Sequence, residues 1–195
     1  MLRLSPVLLI ATAGAFVGLG ALPGDHGPGG FVRQIHAVHA SDPTSRASWD
    51  VPLIQHCGYW SHFDHRYEQS AWPMAGASTT EELAAFGKER RVLREEPAEG
   101  DIFLQYAPAR GSFVHAGIVV AVLKSGRYDE STPYFDVATI EGDTDASGEI
   151  GGGVAMRVKR RLSPASGDRF LRWAELESFE RVVRVATAMD TRRSA

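Results

Sequence analysis

The chain of 195 residues contains a single cysteine, Cys57. One thiol cannot form an internal disulfide, so packing alone must hold the fold together, whichever side of a membrane it occupies. The sequence also lacks a strongly basic domain, because 21 lysine and arginine residues stand against 24 acidic residues, for a formal net charge of −3. This balance argues against a protein that binds nucleic acid by neutralising phosphates, and we expect no nucleic-acid partner.

Long hydrophobic runs are also absent, with one exception at the N-terminus. No charged side chain occurs from Leu4 to Gly24, and the segment follows a single arginine, Arg3. An apolar run behind a short basic start is typical of export signals, so we predict that residues 1–23 are a signal peptide or an N-terminal anchor. The protein is then exported, to the periplasm or the cell exterior. About 20 apolar residues can span a bilayer, so this segment is also the expected membrane contact.

The rest of the chain divides into three parts. Residues 24–47 are rich in Gly, Pro, His and Ser without any period, which predicts a flexible linker. Residues 48–177 are expected to form one folded unit, since 44% of the chain is hydrophobic and 23% is charged, as in ordinary globular proteins. Residues 178–195 are predicted to be a C-terminal helix or tail. No internal repeat is present, and we expect a monomer.

Two helices are predicted early in the folded unit. Apolar residues from Val51 to Phe63 recur at three- and four-residue steps, which predicts a helix that carries Cys57 near its first turns. Ser78 and Thr79 each precede a glutamate by three residues, and this spacing is typical of a capped helix start.

Strands follow the two helices. Short apolar or alternating runs, bounded by turn residues, predict strands at 101–106, 115–123, 134–141, 154–159 and 169–173. A weaker helix is predicted at 176–189. Because helices come first and an antiparallel sheet follows, the expected fold class is α+β.

Four residues are candidates for a catalytic site. Cys57 is followed by His115 at the start of a predicted strand, and then by Glu141 and Asp143 at the end of the next one. A cysteine hydrolase needs a thiol, an imidazole and a carboxylate, because the imidazole takes the proton of the thiol and the carboxylate holds the imidazole in one orientation. The order therefore indicates nucleophilic catalysis by Cys57.

Four short segments resemble the CHAP branch of the papain-like NlpC/P60 superfamily. They are Pro97-Ala98-Glu99-Gly100-Asp101-Ile102, His115-Ala116-Gly117-Ile118-Val119, Ile140-Glu141-Gly142-Asp143-Thr144 and Gly153-Val154-Ala155-Met156-Arg157. The resemblance implies a papain-like fold for residues 48–177, with N-terminal helices packed on an antiparallel β-sheet. It also implies an enzyme that hydrolyses peptidoglycan, as an N-acetylmuramoyl-L-alanine amidase or as an endopeptidase of the stem peptides.

The resemblance assigns roles to the candidate residues. Cys57 matches the nucleophile, His115 matches the base, and Glu141 matches the residue that orients the imidazole. The family often has asparagine two residues after this glutamate, where the present chain has Asp143, so either acid can be the third catalytic residue. The implied reaction proceeds through a thioester on Cys57, and it requires no metal and no cofactor.

Other interpretations remain open. A lone cysteine is often only a small buried hydrophobic residue, and in that case the domain binds wall material or acts as a scaffold without catalysis. The same machinery can also hydrolyse a different amide or a thioester. His56, His62 and His65 lie close to Cys57 in the sequence, so a zinc site is conceivable, although no second pair of ligands accompanies them.

Overall fold

A six-stranded antiparallel sheet with α-helices on one face makes up most of the described chain. The computed structural model describes residues 4–19, 30, 32, 34–35, 38, 48–64, 69–74, 76–143 and 153–176. Within these residues the architecture is α+β, as the sequence predicts.

The elements are numbered in chain order. The α-helices are α1 (Pro6–Gly14), α2 (Asp50–Ser61) and α3 (Thr80–Glu89). A two-stranded ribbon contains β1 (Phe63–Asp64) and β2 (Gln69–Ser70). The main sheet contains β3 (Leu93–Arg94), β4 (Ile102–Ala107), β5 (Ser112–Arg127), β6 (Pro133–Glu141), β7 (Ala155–Leu162) and β8 (Arg169–Leu171), in the order β3-β8-β4-β5-β6-β7. Short 3₁₀ turns occupy Pro164–Ser166 and Trp173–Glu175.

The two faces of the sheet carry different clusters of side chains. Ile118 of β5 pairs with Ile140 of β6, and both lie in the larger core beneath the helices. Val119, Val137 and other residues that alternate with them form a smaller cluster on the opposite face. Side chains in a strand point alternately to the two faces, so neighbouring positions of β5 and β6 face different environments.

Helix α3 begins as its sequence predicts. The side chain of Thr79 accepts a hydrogen bond from the backbone N–H of Glu82, and the Glu82 carboxylate accepts one from the backbone N–H of Thr79. This reciprocal pair satisfies two N–H groups that have no partner within the helix, and such a cap stabilises a helix by about 1 kcal/mol.

Residues 4–19 are packed against the domain, although the sequence argument separates them from it. Leu9 and Ala13 of α1 are fully buried in the core that α2 and the sheet also form. Beyond α1, the backbone of Val154 exchanges two hydrogen bonds with Gly18 and Leu19. The packed part of the chain therefore begins well before the predicted boundary at residue 48.

Several predictions on the termini fall on other parts of the chain. Most of the predicted linker (24–47) and the whole predicted tail (178–195) lie outside the described residues. Of the predicted helix at 176–189, the structure describes only Leu176, which is buried. No helix in the described segments combines the length and the apolar character that crossing a membrane requires.

Candidate functional site: a buried histidine between two carboxylates

His115 lies between two carboxylates, one at each nitrogen of its ring. Its Nδ1 is 3.1 Å from Oδ2 of Asp50, and its Nε2 is 2.8 Å from Oε2 of Glu141. The ring also makes an edge contact with Phe103, a residue of the cluster on the sheet face opposite the helices. Only 12% of the side chain is exposed. His115 is therefore held at both ends in a largely buried position.

Asp50 reaches this position because it is the first residue of α2. Its Oδ1 accepts hydrogen bonds from the backbone N–H of Val51 (2.8 Å) and the hydroxyl of Ser48 (2.9 Å), and its Oδ2 accepts one from the backbone N–H of Ala116 (2.8 Å). The free N–H groups and the dipole of a helix favour a negative charge at the N-terminus. Asp50 consequently joins the start of α2 to β5 at His115.

Glu141, at the end of β6, is fully buried among donors. It accepts hydrogen bonds from Nε and Nη2 of Arg160, and from the hydroxyl of Thr139. Arg160 also donates from Nη1 to Oε1 of Gln105 (2.8 Å), and its guanidinium lies over the ring of Phe103 at 5.0 Å. A buried carboxylate is stable only when charges and hydrogen bonds compensate it, and here they do.

The surroundings shift the titration of both partners. Burial alone lowers the pKa of His115, but hydrogen bonds to Asp50 and Glu141 outweigh it and raise this pKa to about 9. Burial alone raises the pKa of Glu141, but hydrogen bonds from His115 and Arg160 lower it to about 2. A neutral imidazole has one N–H, whereas a carboxylate at each nitrogen calls for two, so the geometry also favours the imidazolium. At neutral pH the two cations balance the two carboxylates.

Cys57 is not part of this arrangement. It lies seven residues after Asp50 in α2, and at 1.5 Å per residue this places it about 10 Å further along the helix axis. Its side chain is fully buried in the core under the helices, and burial raises the pKa of the thiol. The predicted nucleophile–base pair of Cys57 and His115 is not formed, because α2 begins at Asp50 and leaves the thiol in the middle of the helix.

Asp143 does not take the predicted role either. Both ring nitrogens of His115 are already occupied by Asp50 and Glu141. Asp143 is buried just after β6, with a φ of 58°. Aspartate tolerates this left-handed conformation better than most residues, which suits a turn. Of the four predicted site residues, the structure brings only His115 and Glu141 together.

The sequence argument missed two members of the network. Asp50 had a usable signal, since an acid just before Pro52 and an apolar run is typical of a helix start. No sequence signal pointed to Arg160, because it stands among the other basic residues of 157–161, a pattern that is typical of a solvent-exposed strand face. No group of three or more His, Cys, Asp or Glu residues suited to a metal ion occurs in the described part of the chain, and His65 lies outside it.

In comparisons with known proteins, no family model, no curated protein and no solved structure matched this chain. The function must therefore be argued from the site. A nucleophilic thiol needs a base with an accessible lone pair, or an imidazolium at its side to stabilise the thiolate. Here the imidazolium is paired with carboxylates, and the thiol is buried elsewhere. The arrangement of these described residues can hold α2 and β5 in a fixed geometry, and it does not include the Cys57 thiol.

Proposed function

We propose that this protein is a noncatalytic member of the papain-like NlpC/P60 group, exported to the cell wall with its N-terminal segment retained and packed on the domain, where it binds peptidoglycan or its peptides as a monomer. The observation that carries the proposal is the pairing of His115 with Asp50 and Glu141, while Cys57 lies apart from all three. The helix start that faces the imidazole carries a carboxylate in place of a thiol. We therefore favour the alternative of a binding or scaffold protein over the cysteine hydrolase that the sequence predicts.

The state of Asp50 supports the loss of catalysis. Its side chain is 3% exposed, and both of its oxygens accept hydrogen bonds from protein donors. A carboxylate in such a setting is a poor nucleophile, because attack on a substrate requires those bonds to break. The buried network around Glu141 is equally inaccessible, so the four charged groups serve to hold β5, β6, β7 and α2 in register.

A partly exposed aromatic cluster supports the binding part of the proposal. Trp60, near the end of α2, is 48% exposed; it packs edge-on against Tyr59 at 5.4 Å and at a tilt against Phe63 at 5.3 Å, and both of these are half-buried. Aromatic faces suit the sugar rings and peptide planes of a glycopeptide, because they offer large apolar contact at low entropic cost. The basic side chains of β7 are a weaker candidate for contact with the wall, since Arg160 turns inward to Glu141 and Arg161 pairs with Asp136.

Cosedimentation with purified sacculi tests the proposal. We expect the wild-type chain to bind sacculi without releasing soluble fragments, and Cys57→Ala to behave in the same way. Trp60→Ala should weaken binding several-fold. Tyr128→Ala provides a matched control, because Tyr128 is 58% exposed on another part of the surface.

Two results overturn the proposal. If the wild type releases fragments and Cys57→Ala does not, the protein is a cysteine hydrolase. If the wild type does not bind sacculi, peptidoglycan is not its partner. Labelling with iodoacetamide gives an independent reading, since a buried thiol of raised pKa should react far more slowly than free cysteine at pH 6 to 8.

A further inference from the structure

The N-terminal strap, defined as residues 5–19, contacts two histidines, His56 in α2 and His62 directly after it. The backbone N–H of Ser5 donates a hydrogen bond of 2.9 Å to Nε2 of His62. At the other end of the strap, the ring of Phe16 makes an edge contact with the ring of His56, with centroids 5.4 Å apart. The strap therefore contacts one imidazole near each of its ends.

The hydrogen bonds of His62 define its protonation state. Nδ1 is 3.0 Å from the carbonyl oxygen of Gly58, which can only accept, and 2.7 Å from the hydroxyl of Ser61, which donates its own proton to that carbonyl and so can accept from the ring; Nδ1 therefore carries a proton. Nε2 receives the N–H of Ser5, so it must present a lone pair. This combination exists only in the neutral imidazole. A second proton, on Nε2, would face the Ser5 N–H and replace an attraction with a repulsion.

The described hydrogen bonds and ring contacts of His62 include no carboxylate that would pair with a positive charge. The residue is fully buried, and its ring packs against Trp72 and Trp173, with centroids 5.7 Å and 5.3 Å away. The strap contributes no charged side chain. The charged groups beside Trp173 and the adjoining turn, Asp101 and Arg172, form an ion pair of 3.1 Å with each other.

His56 is placed in a similar way. Its described ring contacts are Phe16 from the strap and Trp60 from α2, whose centroid is 6.3 Å away. Here too the strap presents an uncharged surface to an imidazole. Two imidazoles six positions apart in the chain, His56 within α2 and His62 directly after it, thus lie against the strap.

We propose that the strap docks on the domain only while His62 and His56 are neutral, and that acidification releases it. Protonation of His62 removes the acceptor for Ser5 and places a charge in a fully buried site, whereas an undocked strap lets water solvate both imidazolium groups. The domain is then held in a strapped form at neutral pH and in an open form in acid.

The pKa shifts of His56 and His62 agree with release of the strap in acid. Burial lowers the pKa of His56, and burial lowers the pKa of His62 despite the hydrogen bond to Gly58. A pKa that is lower in the docked state means that the undocked state binds more protons. Docking is therefore strongest above the ordinary histidine pKa of about 6.5, and it weakens by up to about tenfold per pH unit for each histidine as the pH falls below that value.

Hydrogen exchange of the full chain tests the proposal. Protection factors of the strap amides, corrected for intrinsic rates, are measured by mass spectrometry from pH 7.5 to pH 4.5. We expect them to fall at least tenfold over this range, while the amides of β5 stay protected. In the double variant His56→Phe/His62→Gln the protection should persist, because Gln keeps an acceptor for Ser5, Phe keeps the ring contact, and neither titrates.

Three results overturn the proposal. One is strap protection in the wild type that does not change with pH. A second is the same loss of protection in the double variant, which assigns the effect to other groups. A third is a strap that is already unprotected at pH 7.5. Protection of the β5 amides shows in each case that the domain itself has stayed folded.

Discussion

Asp50 lies at the N-terminus of α2 with its Oδ2 3.1 Å from Nδ1 of His115. This is the place at which a thiol nucleophile would benefit from both the helix dipole and an adjacent imidazolium. The helix dipole and the imidazolium stabilise the Asp50 carboxylate in the same way. Asp50 thereby forms a fixed contact between α2 and β5. The proposal of a noncatalytic domain depends on this side chain.

Introducing a thiol at this position tests the interpretation. In a Cys57→Ala background, we expect the new thiol of Asp50→Cys to titrate below the ordinary cysteine pKa of about 8.5, because the helix N-terminus and His115 both stabilise the thiolate. Thiolate absorbance as a function of pH measures it without requiring access by a reagent. Cys57 in the wild type, whose pKa is raised by burial, is the matched comparison. A new thiol that titrates no lower than Cys57 contradicts the account.

The pH dependence of folding reports on His115. Its pKa of about 9 exceeds the unfolded value of about 6.5, so its contribution is complete below pH 6.5 and disappears as the pH rises through 9. This contribution amounts to about 3 kcal/mol. We expect urea denaturation to show the wild type losing stability of this order between pH 6.5 and pH 9.5, and His115→Asn losing far less. Equal losses in the two proteins assign the effect to other groups.

The ion pair between Arg160 and Glu141 should matter more than its neighbour in sequence. Arg160→Met leaves Glu141 buried without its main cation, and removal of one partner of a buried pair costs about 3–5 kcal/mol. Arg161→Met is the control, since Arg161 is 40% exposed and its partner Asp136, although buried, keeps a second cation, Lys159 at 3.3 Å; we expect a loss of about 1 kcal/mol. Denaturant unfolding measures both values, and comparable losses contradict the network described here.

The docking of α1 can be tested at Gly100, which has a φ of 82° and would direct a Cβ into Pro6. Gly111 also has a positive φ, of 64°, but a Cβ there would meet only the Tyr106 hydroxyl at 3.8 Å. Both alanine variants carry the backbone cost of about 1–2 kcal/mol. We expect Gly100→Ala to lose more stability than Gly111→Ala, and to lose protection of the strap amides from exchange. Identical losses, with unchanged protection, mean that Pro6 does not pack on Gly100.

The strands were predictable from the sequence, because their apolar runs and turn residues are local signals. The predicted range 134–141 agrees with β6 (Pro133–Glu141), and 101–106 agrees with β4 (Ile102–Ala107) to within a residue. The capped start of α3 was equally local. β3 (Leu93–Arg94), with two residues, is too short to leave a pattern, and it exists because β8 pairs with it.

The site was only partly predictable, and the reason lies in α2. Asp50 and Cys57 are seven residues apart, so they lie on the same side of a helix. The sequence pattern cannot tell which of them faces His115, because that depends on how far α2 slides along β5. Arg160 presents a similar difficulty, since the bulge between β6 and β7 directs it inward, and a one-residue change in register reverses the face of a strand side chain.

The protonation of His115 tests the central claim most directly. Nitrogen-15 NMR of the imidazole at pH 7.5, assigned by comparison with His115→Asn, distinguishes an imidazolium from either neutral tautomer. The account predicts a proton on both ring nitrogens, retained until the pH approaches 9, because Asp50 and Glu141 each accept one. A neutral His115 at pH 7.5 would contradict it, since one ring nitrogen would then be free to act as a base.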